Sequence, residues 1–137
     1  MPAKPSFSCA FAIRSDTRYL SFLRRWIEAA ARAAGRRLTR RARISLELAL
    51  VEAVDNAIFH AHRGAREKPI TVKISIRDGE ASLEVVDTGR GIGHLSSALP
   101  DMMSDHGRGL FLMRSVMTSV QSVRGKGRHA IRMRLSI

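Results

Sequence analysis

Cysteine is nearly absent from this chain. The single Cys9 excludes an internal disulfide and any metal site built on a cysteine cluster, and a reducing, cytoplasmic setting suits that usage. Long apolar runs are also missing, so no membrane-spanning helix and no membrane partner are expected. The opening MPAKPSFSCAFAI lacks a long uninterrupted apolar region and a cleavage site, so no secretory signal is expected. Acidic residues are scarce: 12 stand against 24 basic ones, for a net charge of +12, and none follows Asp105. The basic excess is mostly arginine and crowds the first third, from Arg14 to Arg43. Such a balance favours a polyanionic partner, whether nucleic acid, nucleotide or an acidic protein surface, and is otherwise a solvated arginine face. Aromatics make up only 5% of the chain. Trp26 lies among these arginines but belongs to an apolar stripe and reads as a core anchor rather than a stacking platform, and no groove-reading motif is present, so direct nucleic-acid binding is not expected.

What remains is enough for one core. With 137 residues, 45% of them hydrophobic, the chain is expected to form a single domain over residues 1–137. Phe7, Cys9, Phe11 and Ile13 alternate as a strand with one packed face. Ser15 or Asp16 can cap the next helix, in which Tyr19, Leu23, Trp26, Ile27 and Ala30 make an apolar stripe that Gly35 ends. Thr39 can cap a second helix whose central stretch, Ile44 to His62, is apolar nearly all round. After a loop at 63–69, two alternating runs flank Asp78-Gly79, a tight-turn signal that predicts an antiparallel hairpin. Asp87 shares the parity of Ala81, Leu83 and Val85, so the hairpin should deliver an acid to the buried face just where the strand ends. A glycine-rich stretch from Thr88 to Arg108 has the length of a functional lid. A helix over Gly109 to Met117, a weak strand over Val120 to Arg124, a turn at Gly125-Lys126-Gly127 and a last strand from Ile131 complete the chain. The order β-α-α-β-β-lid-α-β-β predicts an α/β two-layer sandwich, with helices on one face of a mixed, mostly antiparallel sheet. The central hairpin is too tight for a doubly wound parallel fold.

Three stretches carry chemistry. Within the second helix, Glu52, Asn56 and His60 fall four residues apart on one face of an otherwise apolar segment. A carboxylate and an amide in such surroundings cost free energy unless paired or bound to something, so the pair is either a satisfied core couple or a site. Asp87-Thr88-Gly89-Arg90-Gly91-Ile92-Gly93 follows a strand, and its glycines let backbone approach a ligand closely. It fails the dinucleotide pattern, because a long loop follows it instead of a helix. His106-Gly107-Arg108-Gly109-Leu110 opens a helix, where free N–H groups and an arginine can hold an anion.

In that order and spacing, E-x-x-x-N on a helix, D-x-G-x-G after a strand and G-x-G at a later helix resemble the nucleotide site of the Bergerat-fold (GHKL, or HATPase) ATPases. More narrowly, LELALVEAVDNAIFHA, VVDTGRGIG, GRGLFLMRSVM and RMRLSI resemble the small bacterial serine-protein-kinase anti-sigma factors. The resemblance implies ATP and Mg²⁺ as cofactors. Glu52 matches the general base, and Asn56 the residue that gives an amide oxygen to the metal. Asp87 matches the adenine-reading acid, with Gly89, Gly91 and Gly93 in the glycine stretch beside the base. Gly107, Arg108, Gly109 and Leu110 fall at the phosphate-facing lid and helix start. His60 stands where a phosphate contact is often found and is equally compatible with a structural role. The implied activity is that of an ATP–Mg²⁺-dependent protein serine/threonine kinase working as an anti-sigma factor. It would bind an RNA polymerase sigma factor and phosphorylate a STAS-type anti-sigma-factor antagonist. Self-association as a homodimer is left open.

The chain departs from the pattern in one place. The family closes with a Gly-Thr pair before its last strand, and here the region reads Gly125-Lys126-Gly127-Arg128-His129-Ala130, without threonine. That departure motivates an alternative, a partner-sequestering module with little phosphotransfer. A histidine-kinase catalytic domain is a further alternative and would need a separate phosphoacceptor partner.

Overall fold

The computed structural model describes residues 6–62, 65–89 and 105–137, and of residues 60 and 105–107 the backbone alone. The strands are β1 (Phe7–Arg14), β2 (Pro69–Arg77), β3 (Glu80–Asp87), β4 (Ser119–Gly125) and β5 (Arg128–Ser136). The helices are α1 (Leu20–Ala33), α2 (Arg40–Asn56) and α3 (Asp105–Val116). A 3-10 turn at Thr17–Tyr19 leads into α1, and a π-helical turn at Ala57–Ala61 follows α2. The sheet order is β1-β2-β3-β5-β4. Helices cover one face of the sheet, so the two-layer α/β arrangement expected from the sequence is what forms.

All four pairings among the described strands are antiparallel, a correction to the mixed sheet expected. The cause is local. Asp78-Gly79 and Lys126-Gly127 are two-residue turns, with Gly79 and Gly127 at φ 78° and 65°, and turns this short can join only antiparallel neighbours.

The core lies between the helices and the sheet. Ile70, Val72, Ile74 and Ile76 of β2, Ala81, Leu83 and Val85 of β3, and Ile131 and Met133 of β5 are buried against Leu23, Ile27, Leu46, Leu50 and Val54. Register aligns these rows: Leu83 faces Met133 and Val85 faces Ile131. The next step of that ladder sets Asp87 opposite His129, on the core-facing side of both strands.

Helix ends follow their local chemistry. Thr39 accepts the Ala42 N–H and caps α2. Gly35 (φ 66°) ends α1, with the Arg36 N–H returning to the Ala31 carbonyl. Asp16 takes the capping role before α1 and accepts the Arg18 N–H, whereas Ser15 is buried in a separate network. Two boundaries differ from expectation. α2 begins at Arg40, directly after its expected Thr39 cap, but changes to a wider winding after Asn56 instead of continuing to His62, with the His62 N–H reaching the Ala57 carbonyl at 2.9 Å. The four-residue spacing that placed His60 in line with Glu52 and Asn56 therefore does not continue past Asn56. α3 starts at Asp105, so Gly107-Arg108-Gly109 lies inside its first turns instead of preceding it.

Candidate functional site

Glu52 and Asn56 sit one turn apart on α2, and the N-terminal part of α3 is laid against them. A Cβ added to Gly109 would stand 3.2 Å from Glu52 Oε2, 3.3 Å from Asn56 Oδ1 and 3.5 Å from Asn56 Nδ2. Glycine at 109 thus lets the α3 backbone come into contact with both polar ends without covering them. Asn56 is buried, and its Nδ2 has no hydrogen-bond partner among the described residues; the same is true of Asp55 Oδ1. Buried polar atoms left unpaired cost roughly 1–3 kcal/mol each. Their presence beside a carboxylate marks a place that a ligand or ion with complementary groups would complete.

The electrostatics point the same way. Burial pushes the Glu52 carboxyl above its ordinary value, the neighbouring Asp55 pushes it further, and Arg108 pulls it back. Arg108, on α3, therefore acts on the Glu52 carboxylate of α2. Burial alone raises Asp55. A carboxylate whose pKa is raised above its ordinary value is a stronger proton acceptor in its ionised form. The hard oxygen donors of Asn56 and its carboxylate neighbours suit Mg²⁺, which takes one or two protein ligands and keeps waters. Among the described residues no group of three His, Cys, Asp or Glu side chains gathers as a self-sufficient metal site.

A second cluster forms at the end of β3. Asp87 is buried, its Oδ1 accepts the Gly89 N–H at 2.9 Å, and its Oδ2 lies 3.4 Å from His129 Nδ1. Gly89 is held by close approach. An added Cβ would fall 2.3 Å from the Ala61 carbonyl oxygen and 2.7 Å from Ala61 Cβ. The strand end that carries Asp87 is thus pressed onto the π-helical turn that continues from Asn56, so the two clusters share one short stretch of chain.

His62 locks that junction. Ser15 Oγ donates to the Lys68 carbonyl at 2.6 Å, so at its 2.6 Å contact with His62 Nδ1 it accepts the ring N–H. His62 Nε2 then accepts the Thr88 N–H at 3.0 Å. These partners require a neutral ring, and burial lowers the His62 pKa below 6.5, with Lys68 adding to the effect and Asp87 opposing it. Because the unfolded chain binds this proton more readily, the contribution of His62 is complete above about pH 6.5 and is lost as pH falls below it. The raised Glu52 and Asp55 act in the opposite sense, so the comparison must be between variants. Thermal melts at pH 7.5 and 5.5 should show a smaller acid-side loss in His62→Gln than in wild type, whatever the starting stability. An equal loss in both would remove His62 from the acid response.

Of the residues expected from the sequence, the structure brings Glu52, Asn56, Arg108 and Gly109 together, and puts Asp87 and Gly89 at the adjoining strand end. The Leu110 side chain packs against the core, so any contact it makes with a ligand would be through its backbone. Gly91, Gly93 and the rest of the lid stretch from 90 to 104 lie outside the described residues, as do the side chain of His60 and the surroundings of Gly107. Sequence reasoning missed His129, Ser122, Asp55 and His62. His129 could have been found by continuing the β3–β5 register one step beyond the apolar rows.

Comparison with known proteins shows the family and the fold. The family model for the histidine kinase-like ATPase domain matches residues 13–135. An anti-sigma F factor of Clostridium botulinum (strain Eklund 17B / Type B) is 36% identical over 47 residues, which is 34% of this chain and 33% of that protein. The anti-sigma F factor of strain Alaska E43 / Type E3 matches to the same extent. The chain thus spans about a third of the length of these curated relatives. Among solved structures, the RsbU and RsbW domains of a Mycobacterium tuberculosis protein superpose with a TM-score of 0.69 at 14% identity, covering 94% of this chain and 32% of that one. The histidine kinase domain of a blue-light activated kinase from Erythrobacter litoralis superposes with a TM-score of 0.59 at 16% identity, over 87% of this chain and 59% of that one. At such identities the structural likenesses show the fold.

Proposed function

The chain belongs to the histidine kinase-like ATPase domain family, and from that premise we propose that it is an ATP–Mg²⁺-dependent protein serine/threonine kinase acting as an anti-sigma factor. In this reading it holds an RNA polymerase sigma factor and phosphorylates a serine of an anti-sigma-factor antagonist. The observation that carries it is the approach of Gly109 to both Glu52 and Asn56, which joins a carboxylate, an amide and the N-terminal part of α3 in one place. The matched relatives, named as anti-sigma F factors, support the regulatory half.

Family membership implies ATP as the ligand. Asp87 accepts from the exocyclic amine of adenine. The first-turn N–H groups of α3 and the Arg108 charge favour the phosphates. When bound, Mg²⁺ would be held through the Asn56 amide and would offset phosphate charge. Glu52 takes the proton of the attacking serine hydroxyl, whose oxygen forms the new bond to the γ-phosphorus as the bond to the ADP oxygen breaks. Catalysis of this kind is positioning and charge stabilisation more than covalent chemistry by the protein. Incubation with γ-labelled ATP, Mg²⁺ and the candidate antagonist tests the reading. Phosphoserine on the antagonist is expected. Phosphohistidine, or tight sigma binding without transfer, would overturn it.

Arginines supply the partner surface. Arg32, Arg36, Arg37 and Arg43 line a groove at the α1–α2 connection in which Glu28 is the sole acid among the described residues, paired with Arg43 at 2.8 Å. An acidic partner segment complements this charge. Binding to the sigma factor should weaken as salt rises from 50 to 500 mM, since exposed charges are screened over about 8 Å at physiological ionic strength. A salt-independent affinity, or tighter binding to duplex DNA, would contradict the assignment.

A further inference from the structure

We propose that His129, backed by Ser122, is the positioning residue that sets Asp87 for base recognition, so that the site selects a 6-amino over a 6-oxo purine. The proposal rests on the assignment of Asp87 to adenine made above. His129 is 2% exposed and stands opposite Asp87 in the β3–β5 register. A carboxylate only accepts, so the 3.4 Å contact between Asp87 Oδ2 and His129 Nδ1 places an N–H on Nδ1. The other ring nitrogen, Nε2, lies 2.5 Å from Ser122 Oγ on the edge strand β4. Ser122 therefore holds the imidazole in plane from behind while its front N–H faces the acid.

Asp87 is in this way held at both oxygens, by the Gly89 N–H on one side and the His129 ring on the other. Rotation of the carboxylate about its own bond would break both contacts. Its remaining lone pairs then have a fixed direction and meet whatever occupies the purine 6-position. An exocyclic amine there donates; a 6-oxo group sets lone pair against lone pair in a buried place. Sites built around a buried hydrogen-bonding group reject analogues that cannot pair with it. Without His129, Oδ2 loses its partner, the Gly89 N–H alone holds the carboxylate, and amine and oxo bases become harder to tell apart.

ATP and ITP provide the test, because they differ only at that edge. Calorimetry on the full chain with Mg²⁺ gives both affinities for wild type, Asp87→Asn, His129→Ala and Ser122→Ala. Wild type should prefer ATP by on the order of tenfold or more, the scale of one hydrogen bond to a charged group. In His129→Ala the ATP/ITP ratio should fall toward one, chiefly through weaker ATP binding. Ser122→Ala should move it in the same direction by less, and this mild change on an edge strand carries the test if His129→Ala does not fold. A role confined to packing predicts that both nucleotides weaken in proportion, or not at all, and an unchanged ratio in the variants would overturn the proposal. If instead the wild type shows no preference, or Asp87→Asn keeps it, the assignment of Asp87 itself fails and the role of His129 falls with it.

Discussion

Glu52→Gln is expected to lose phosphotransfer by about 10²–10⁴-fold, the usual worth of a general base, while ATP affinity stays within a few-fold of wild type. The amide is nearly isosteric, so the packing of α2 against α3 is preserved. It cannot accept the proton of an attacking hydroxyl. Glu52 also sits where such a role is physically reasonable: beside Asn56, against the Gly109 backbone, with its pKa raised by burial and then by Asp55, and moderated by Arg108. The same environment sets the acid limb of the pH profile. Transfer should fall as pH drops through the raised Glu52 pKa, at higher pH than an exposed glutamate would dictate. A purely structural Glu52 predicts a different pattern, in which the melting temperature drops and activity follows only the folded fraction. Single-turnover phosphorylation and thermal melts on one preparation separate the two. A destabilised variant whose folded fraction remains fully active would remove Glu52 from the chemistry.

Gly89→Ala is expected to cost stability and nucleotide binding together. The new methyl would lie 2.3 Å from the carbonyl oxygen of Ala61 and 2.6 Å from its carbon. These are backbone atoms, so no side-chain rotation relieves the clash, and either the β3 end or the π-helical turn must move. Overpacking of this kind costs about 1–3 kcal/mol. Because the Gly89 N–H holds Asp87 Oδ1 and the neighbouring Thr88 N–H is held by His62, the shift is passed directly to the acid. Denaturant melts should show a lower midpoint, and ATP should bind more weakly than the lost folded fraction explains. Wild-type stability and affinity in the variant would mean that the close approach of β3 to the π turn has no energetic weight.

The sequence made some of this legible and left other parts hidden, for identifiable reasons. The β2–β3 hairpin was readable because period-two alternation and Asp78-Gly79 agree, and parity alone put Asp87 on the buried face. Glu52 and Asn56 stood out because polar residues four apart in an apolar helix are conspicuous. The π turn was not readable, since Ala57–Ala61 has nothing in its composition to separate an i→i+5 winding from an α-helix; tertiary bonds to His62 accompany the change. Ser15 looked like a cap because local rules favour it there, but its hydroxyl bonds His62 and the Lys68 carbonyl, 47 and 53 residues away. His129 was hidden because apolar alternation starts at Ile131, whereas pairing extends β5 back to Arg128. Polar residues at a strand end carry no signal of the face they occupy until the partner strand is known. The parallel component of the sheet was expected without a crossover to make it, and all four pairings among the described strands are antiparallel.

The central claim is that these clusters form one ATP site, and titrating ATP with Mg²⁺ into the wild-type protein by calorimetry tests it most directly. The account predicts saturable binding at one ATP per chain, competed by ADP and weakened by Asp87→Asn by about 1–3 kcal/mol. Absence of any saturable nucleotide binding by the folded protein would contradict it.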